Sequence, residues 1–149
     1  MGWTTITEND VLAGLNASES TAYRTKLLGD GQLDPLIEIT DQVVAEIREA
    51  VRSNPDNVLS SSADQIPSSA IYHAVATIRY RLLTRLMVPV SDARTEEWRE
   101  ANRYRRDLAT GTIRVESGAD NVDTEAAAPG SRPRITTPTR TYERSDADG

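Results

Sequence analysis

Cysteine is absent from the 149 residues of this chain. That excludes disulfides, thiolate zinc sites and a cysteine nucleophile, and it fits a reducing cytoplasm. Phenylalanine is absent too, and the aromatics are limited to two Trp and five Tyr, so the core must be aliphatic. Hydrophobic residues make up 38% of the chain. That is low for a packed globule and implies that part of the chain stays out of the core. No apolar run approaches the roughly 20 residues that a membrane-spanning helix needs. Met1-Gly2-Trp3-Thr4-Thr5-Ile6 has no basic region followed by an apolar stretch, so no signal peptide is expected. Positive charge is in deficit, with a formal net charge of −6. Phosphate binding needs clustered cations, which argues against a general nucleic-acid binder while leaving room for a local basic patch.

What is present is helical periodicity. Thr7 can cap the amide of Asp10 and open a first short helix with Val11, Leu12 and Leu15 as its apolar stripe. Ser18 or Ser20 is the expected cap of a second, holding Tyr23, Leu27 and Leu28, and Gly29-Asp30-Gly31 is expected to stop it. The third helix has the cleanest pattern. Asp34 caps it, Pro35 takes its first position, and Leu33, Ile37, Thr40, Val44, Ile47 and Val51 recur at steps of three and four. Leu36, Val43 and Ala50 widen that stripe, and the helix should end near Ser53, before Pro55. After a polar loop over 54–66, Pro67 is expected to open a fourth helix that buries Ala70, Ile71, Ala74, Val75, Ile78, Leu82, Leu83 and Leu86. Ser91 or Asp92 caps a fifth, with Trp98, Ala101, Tyr104 and Leu108 inward and Gly111 at its end. Thr112 to Glu116 alternates apolar and polar residues, as a short strand does. The expected fold is therefore mainly α: a small bundle of about five helices with a short β segment, over 1–116.

Residues 117–149 read as an extended C-terminal arm. Val122, Ile135 and Tyr142 are its only large apolar groups, too few to offset an ordering entropy of roughly 1–2 kcal/mol per residue. The arm is expected to be disordered unless bound. Arg134, Ile135, Arg140, Tyr142 and Arg144, spaced among Thr and Pro, are its candidate docking residues, because such a segment can add a strand to a partner's sheet or lie in a groove.

Little in the sequence points to catalysis. His73 is the only histidine, and without Cys it is a poor start for a transition-metal site. Gly29-Asp30-Gly31 is too short for a dinucleotide or P-loop fingerprint, and no nucleophile elbow is present. No catalytic residue and no cofactor are expected. Glu96-Glu97 sits on a fifth helix already carrying Arg94, Arg99, Arg103, Arg105 and Arg106, where a solvated face of ion pairs is the ordinary explanation. The fourth helix is less balanced, since from Pro67 to Val88 it has Arg79, Arg81 and Arg85 and no acid. Arg81 and Arg85 share a face. They pair with the acidic third helix, form a subunit contact, or line a channel carrying nucleic acid. Arg99, Arg103 and Arg106 join these three as candidate subunit or channel contacts.

Four stretches together resemble the Mu-type tailed-phage head–tail connector family. They are Ile6-Thr7-Glu8-Asn9-Asp10-Val11-Leu12; Leu28 to Leu36, running into a helix; Ile66-Pro67 followed by Ile78 to Leu86; and the Arg-rich fifth helix closing on Asp107-Leu108-Ala109-Thr110-Gly111. The resemblance covers residues 3 to 116. It implies a structural protein of the virion neck: a helical adaptor forming a ring, usually of about twelve copies, under the portal. The ring would extend the DNA channel, reach the portal or a neighbour through C-terminal segments, and receive the next neck or tail component below. Genomic DNA would be present only as channel contents, and no membrane is involved. A tail-completion or stopper ring below the adaptor is the alternative, followed by a nucleic-acid-binding regulatory helical protein.

Overall fold

The structure is a computed structural model that describes residues 2–26 and 34–119. It is mainly helical. β1 (Trp3–Thr5) leads into α1 (Glu8–Leu12) and α2 (Ala17–Lys26). The long α3 (Pro35–Arg52) follows, then β2 (Gln65–Pro67), a single 3₁₀ turn over Ser68–Ala70, α4 (Ile71–Arg85) and α5 (Asp92–Thr110). α4 lies centrally, packed by α3, α5 and α1. The expectations for Leu27, Leu28, Gly29-Asp30-Gly31 and Leu33, and for the arm from residue 120 on, lie outside the described residues.

The helix ends follow from local chemistry. Thr7 accepts from the Asp10 amide while Asp10 accepts from the Thr7 amide, a reciprocal cap at the start of α1. Asp34 accepts from the Leu36 amide at 2.9 Å with Pro35 at the first position of α3. Ser91 accepts from the Arg94 amide and caps α5. Gly111 closes that helix at φ 79°, with its own amide on Leu108 and the Thr112 amide on Asp107.

α2 begins earlier than its serines suggest. Asn16 is the cap: its side chain accepts from the Glu19 amide at 2.8 Å, and Glu19 accepts from the Asn16 amide at 3.2 Å. This is the same reciprocal arrangement with Asn in place of Ser or Thr. Nor does Pro67 open α4. Paired with Trp3 in the two-stranded antiparallel sheet, it is held extended at ψ 137°. The Ser68 amide and hydroxyl both donate to the Gly2 carbonyl, so the chain makes a 3₁₀ turn before the α-helix starts at Ile71.

The core is aliphatic. Leu36, Ile39, Val43, Ile47, Ala50 and Val51 of α3 meet Ala74, Ile78 and Leu82 of α4, with Val11, Ile66 and Leu108 closing the ends. Full burial of such a side chain contributes about 1.5–3 kcal/mol. The buried face of α3 is rotated from the expected stripe: Ile39 is buried and Ile37 is 63% exposed. Ala74 and Ala76 are both buried, and Ala74 belongs to the core. Of the expected fifth-helix stripe, Ala101 and Leu108 are buried while Trp98 and Tyr104 are half-buried.

Residues 112–116 form no strand. Ile113 and Val115 do pack against the core, which explains the alternation. The backbone is held by scattered bonds instead of a ladder: the Trp3 indole donates to the Glu116 carbonyl at 2.8 Å and the Gly118 amide donates to Val58.

Candidate functional site

An open groove of about 720 Å³ lies between α3, α4 and α5. Its floor is Ala50 with the stacked rings of Tyr80 and Trp98, 4.3 Å between centroids and 11° between planes. Its polar wall is built on Glu46. Arg81 grips that carboxylate with two hydrogen bonds of 2.9 and 2.8 Å, the fork-on-fork geometry that suits guanidinium and carboxylate. Arg105 joins the same carboxylate from α5. Burial on its own would raise the Glu46 carboxyl, but the hydrogen bonds and charge of Arg81, with Arg105, outweigh it and hold the group below the ordinary range. Two guanidiniums thus share one carboxylate; with Glu49 and Arg106 also on the lining, three arginines face two carboxylates and the groove carries one surplus positive charge. Arg106 lines the same groove, exposed and with no ion pair among the described residues; Arg103, also exposed and without an ion pair there, is not among the groove's lining residues.

The other expected arginines are placed apart. Arg85 pairs with Glu38 of α3 at 3.0 Å, so Arg81 and Arg85 both bridge α4 to α3. Arg99 pairs with Glu96 one turn earlier on its own helix. Arg79 points the other way and donates at 2.9 Å to the carbonyls of Val11 and Asp10, the unpaired acceptors at the end of α1. Burial, then the charge of Arg94, lowers its pKa from the usual guanidinium range. Arg134, Ile135, Arg140, Tyr142 and Arg144 lie outside the described residues.

Three features escaped sequence reasoning. Arg94 is the most enclosed of the α5 arginines: it bonds Glu19 at 3.1 Å, Glu97 at 3.3 Å and the Gly14 carbonyl at 2.6 Å. The Tyr80–Trp98 stack lies across two helices, so no periodicity within one helix predicts it. Glu116 accepts from the Ser69 amide and hydroxyl at 3.0 and 2.9 Å, placing a carboxylate at the start of the α4 segment. Burial pushes that carboxyl up, and hydrogen bonding from its own backbone amide, then from Ser69 and the Ser68 amide, brings it below the ordinary range.

His73 stacks on Tyr104, 4.1 Å between centroids and 18° between planes, with the Tyr72 ring edge-on to it. The His73 Nδ1 and the Tyr104 hydroxyl are buried without hydrogen-bond partners. Burial lowers the imidazole pKa, opposed by the charge of Glu100. Among the described residues no cluster of three or more His, Cys, Asp or Glu is placed to hold a metal ion, and no helix is long and apolar enough to cross a membrane. Compared with known proteins, the chain matches no family model, no curated protein and no solved structure.

Proposed function

We propose that this chain is a virion structural protein and not an enzyme: a head–tail adaptor that assembles as a ring joining the portal to the neck or tail and extending the DNA channel. The observation that carries the reading is the groove between α3, α4 and α5. It is open, floored by two stacked aromatics and edged by three arginines, of which Arg106 is exposed. Aromatics and arginine are the residues enriched where proteins meet.

The stretches that resemble the connector family supply the second support, because they serve as structural joints. Thr7 to Leu12 builds the cap and body of α1, Asp34-Pro35 starts α3, and Asp107 to Gly111 closes α5. The regulatory, nucleic-acid-binding alternative loses ground here. Arg81 and Arg85 are each bonded to a carboxylate and Arg79 to backbone carbonyls, so the basic stripe of the fourth helix is spent on internal contacts.

In this reading the arm beyond residue 117, through Ile135, Tyr142 and the arginines at 134, 140 and 144, grips the portal or an adjacent subunit. The test is mass spectrometry and electron microscopy of purified particles, with the protein expected in the virion neck. Its absence from particles overturns the proposal. Co-purification with portal in the absence of tail genes separates an adaptor from a stopper ring.

A further inference from the structure

A second groove runs along the other flank of α3. Its two lobes, of about 320 and 180 Å³, share Ile6, Thr40 and Asp41. The floor is apolar, with Val44 and Leu36 beneath and Ile37 standing 63% exposed at the edge. Glu8, Asp41 and Asp64 are its charged residues, and no cation is among its described lining residues. Neither Glu8 nor Asp41 has an ion-pair partner among the described residues.

The two grooves differ in charge and in direction. At about 100° per residue, the α3 positions lining the first groove (46, 49 and 50) and those lining the second (37, 40, 41 and 44) centre roughly 180° apart around the helix. They flank the buried face from opposite sides. One carries an aromatic floor with surplus arginine, the other an aliphatic floor with surplus carboxylate. Two unlike, complementary patches on opposite flanks of one molecule define a heterologous contact, which repeats from copy to copy and closes into a ring when the rotation permits. An isologous dimer would instead need a patch complementary to itself.

We propose that these grooves are the two halves of a head-to-tail contact between copies of this chain, the Arg106 edge and Tyr80–Trp98 floor of one copy meeting the Ile37–Asp41 groove of the next. Opposite charge steers the encounter and fixes its direction, while the apolar floors supply the burial. The proposal deepens the adaptor reading, on which it rests for the identity of the assembly.

The absence of native cysteine makes a direct test clean. Both Asp41 and Arg106 are exposed, so Asp41→Cys and Arg106→Cys should fold like the parent chain, checked by circular dichroism. With a short bis-maleimide, the full-length chain carrying both substitutions is expected to give a ladder of covalent oligomers. A mixture of the two single variants is expected to stop at dimers, and each single variant alone to stay uncrosslinked. Charge exchange adds an independent readout by sedimentation: Asp41→Arg alone and Arg106→Glu alone should lose self-association, and mixing them should restore it, because each then offers the surface the other lacks. Dimers from either single-cysteine variant, no ladder from the double variant, or no rescue on mixing would overturn the proposal. Binding of the chain to portal is a separate measurement, so the adaptor reading and this contact can fail independently.

Discussion

Arg94 and Glu19 form an ion pair at 3.1 Å between α5 and α2, with side chains only 15% and 8% exposed. The carboxylate also accepts from the Asn16 amide, so a single group caps α2 and ties it to the bundle. Few apolar contacts hold α2, whose buried residues are Glu19 and Tyr23. Removing one member of an enclosed pair leaves the other without its partner, which costs about 3–5 kcal/mol when no substitute exists. Arg94 keeps Glu97 and the Gly14 carbonyl. Glu19→Ala is therefore expected to cost less, about 2–3 kcal/mol, and Glu19→Gln, which still caps, about 1 kcal/mol less than that. Urea denaturation of both variants measures this. Equal losses would show that the retained cap contributes nothing and that the charge accounts for the whole effect.

Met87 has φ 57° and ends α4 with a Schellman-type pair of bonds, its own amide on Thr84 and the Val88 amide on Leu83. Its side chain is 86% exposed, so little packing compensates for a left-handed backbone that costs a residue with a Cβ roughly 1–2 kcal/mol. Met87→Gly removes that strain but adds unfolded-state entropy of roughly 0.5–1 kcal/mol. The expected net is a stabilisation of about 0.5–1 kcal/mol, seen as a higher denaturation midpoint at unchanged slope. A lower midpoint would show that the methionine makes a contact the glycine loses.

The helices were legible because their signals are local. Thr7, Asp34, Pro35, Ser91 and Gly111 act within a turn of themselves, and the chemistry of a cap does not depend on the rest of the fold. Pairing across the fold was not legible. Pro67 lies in a strand because Trp3 and Gly2, far away in sequence, hold it there. Ile37 faces outward although it fits a three-and-four pattern, because Ile39 fits an alternative one about as well and only packing against α4 decides between them. The candidate site was half visible. The arginines could be counted, but which of them share a carboxylate, and that Trp98 leaves the core stripe to stack on Tyr80, follow from how α4 and α5 cross.

Gly118 has no room for a side chain. A Cβ there would overlap the backbone of Leu59 and Ser60, and backbone cannot swing aside as the Arg79 side chain opposite Gly14 can. Gly118→Ala is expected to lift the segment around residues 116–119 from the 58–60 loop, breaking the bond from the Gly118 amide to Val58 and weakening that of Trp3 to Glu116. The helices should persist in circular dichroism while limited proteolysis cuts faster between residues 112 and 119. Unchanged cleavage there would show that the loop yields instead.

His73 should set the stability of the protein in mild acid. Its folded pKa is lowered, chiefly by burial, with Glu100 opposing. The rings of Tyr72 and Tyr104 pack against it, and the carboxyl of Glu116 is held below the ordinary carboxylate range. Above the unfolded value of about 6.5 the imidazole is neutral in both states and stability is at its full level. As pH falls through 6.5 the unfolded chain takes up its proton first, so stability declines until the folded pKa is passed. His73→Phe keeps an aromatic ring against Tyr104 and removes the proton. Between pH 7 and 5 the wild type is expected to lose stability in urea titrations while the variant stays nearly flat. Parallel curves for the two proteins would assign the acid limb to another group.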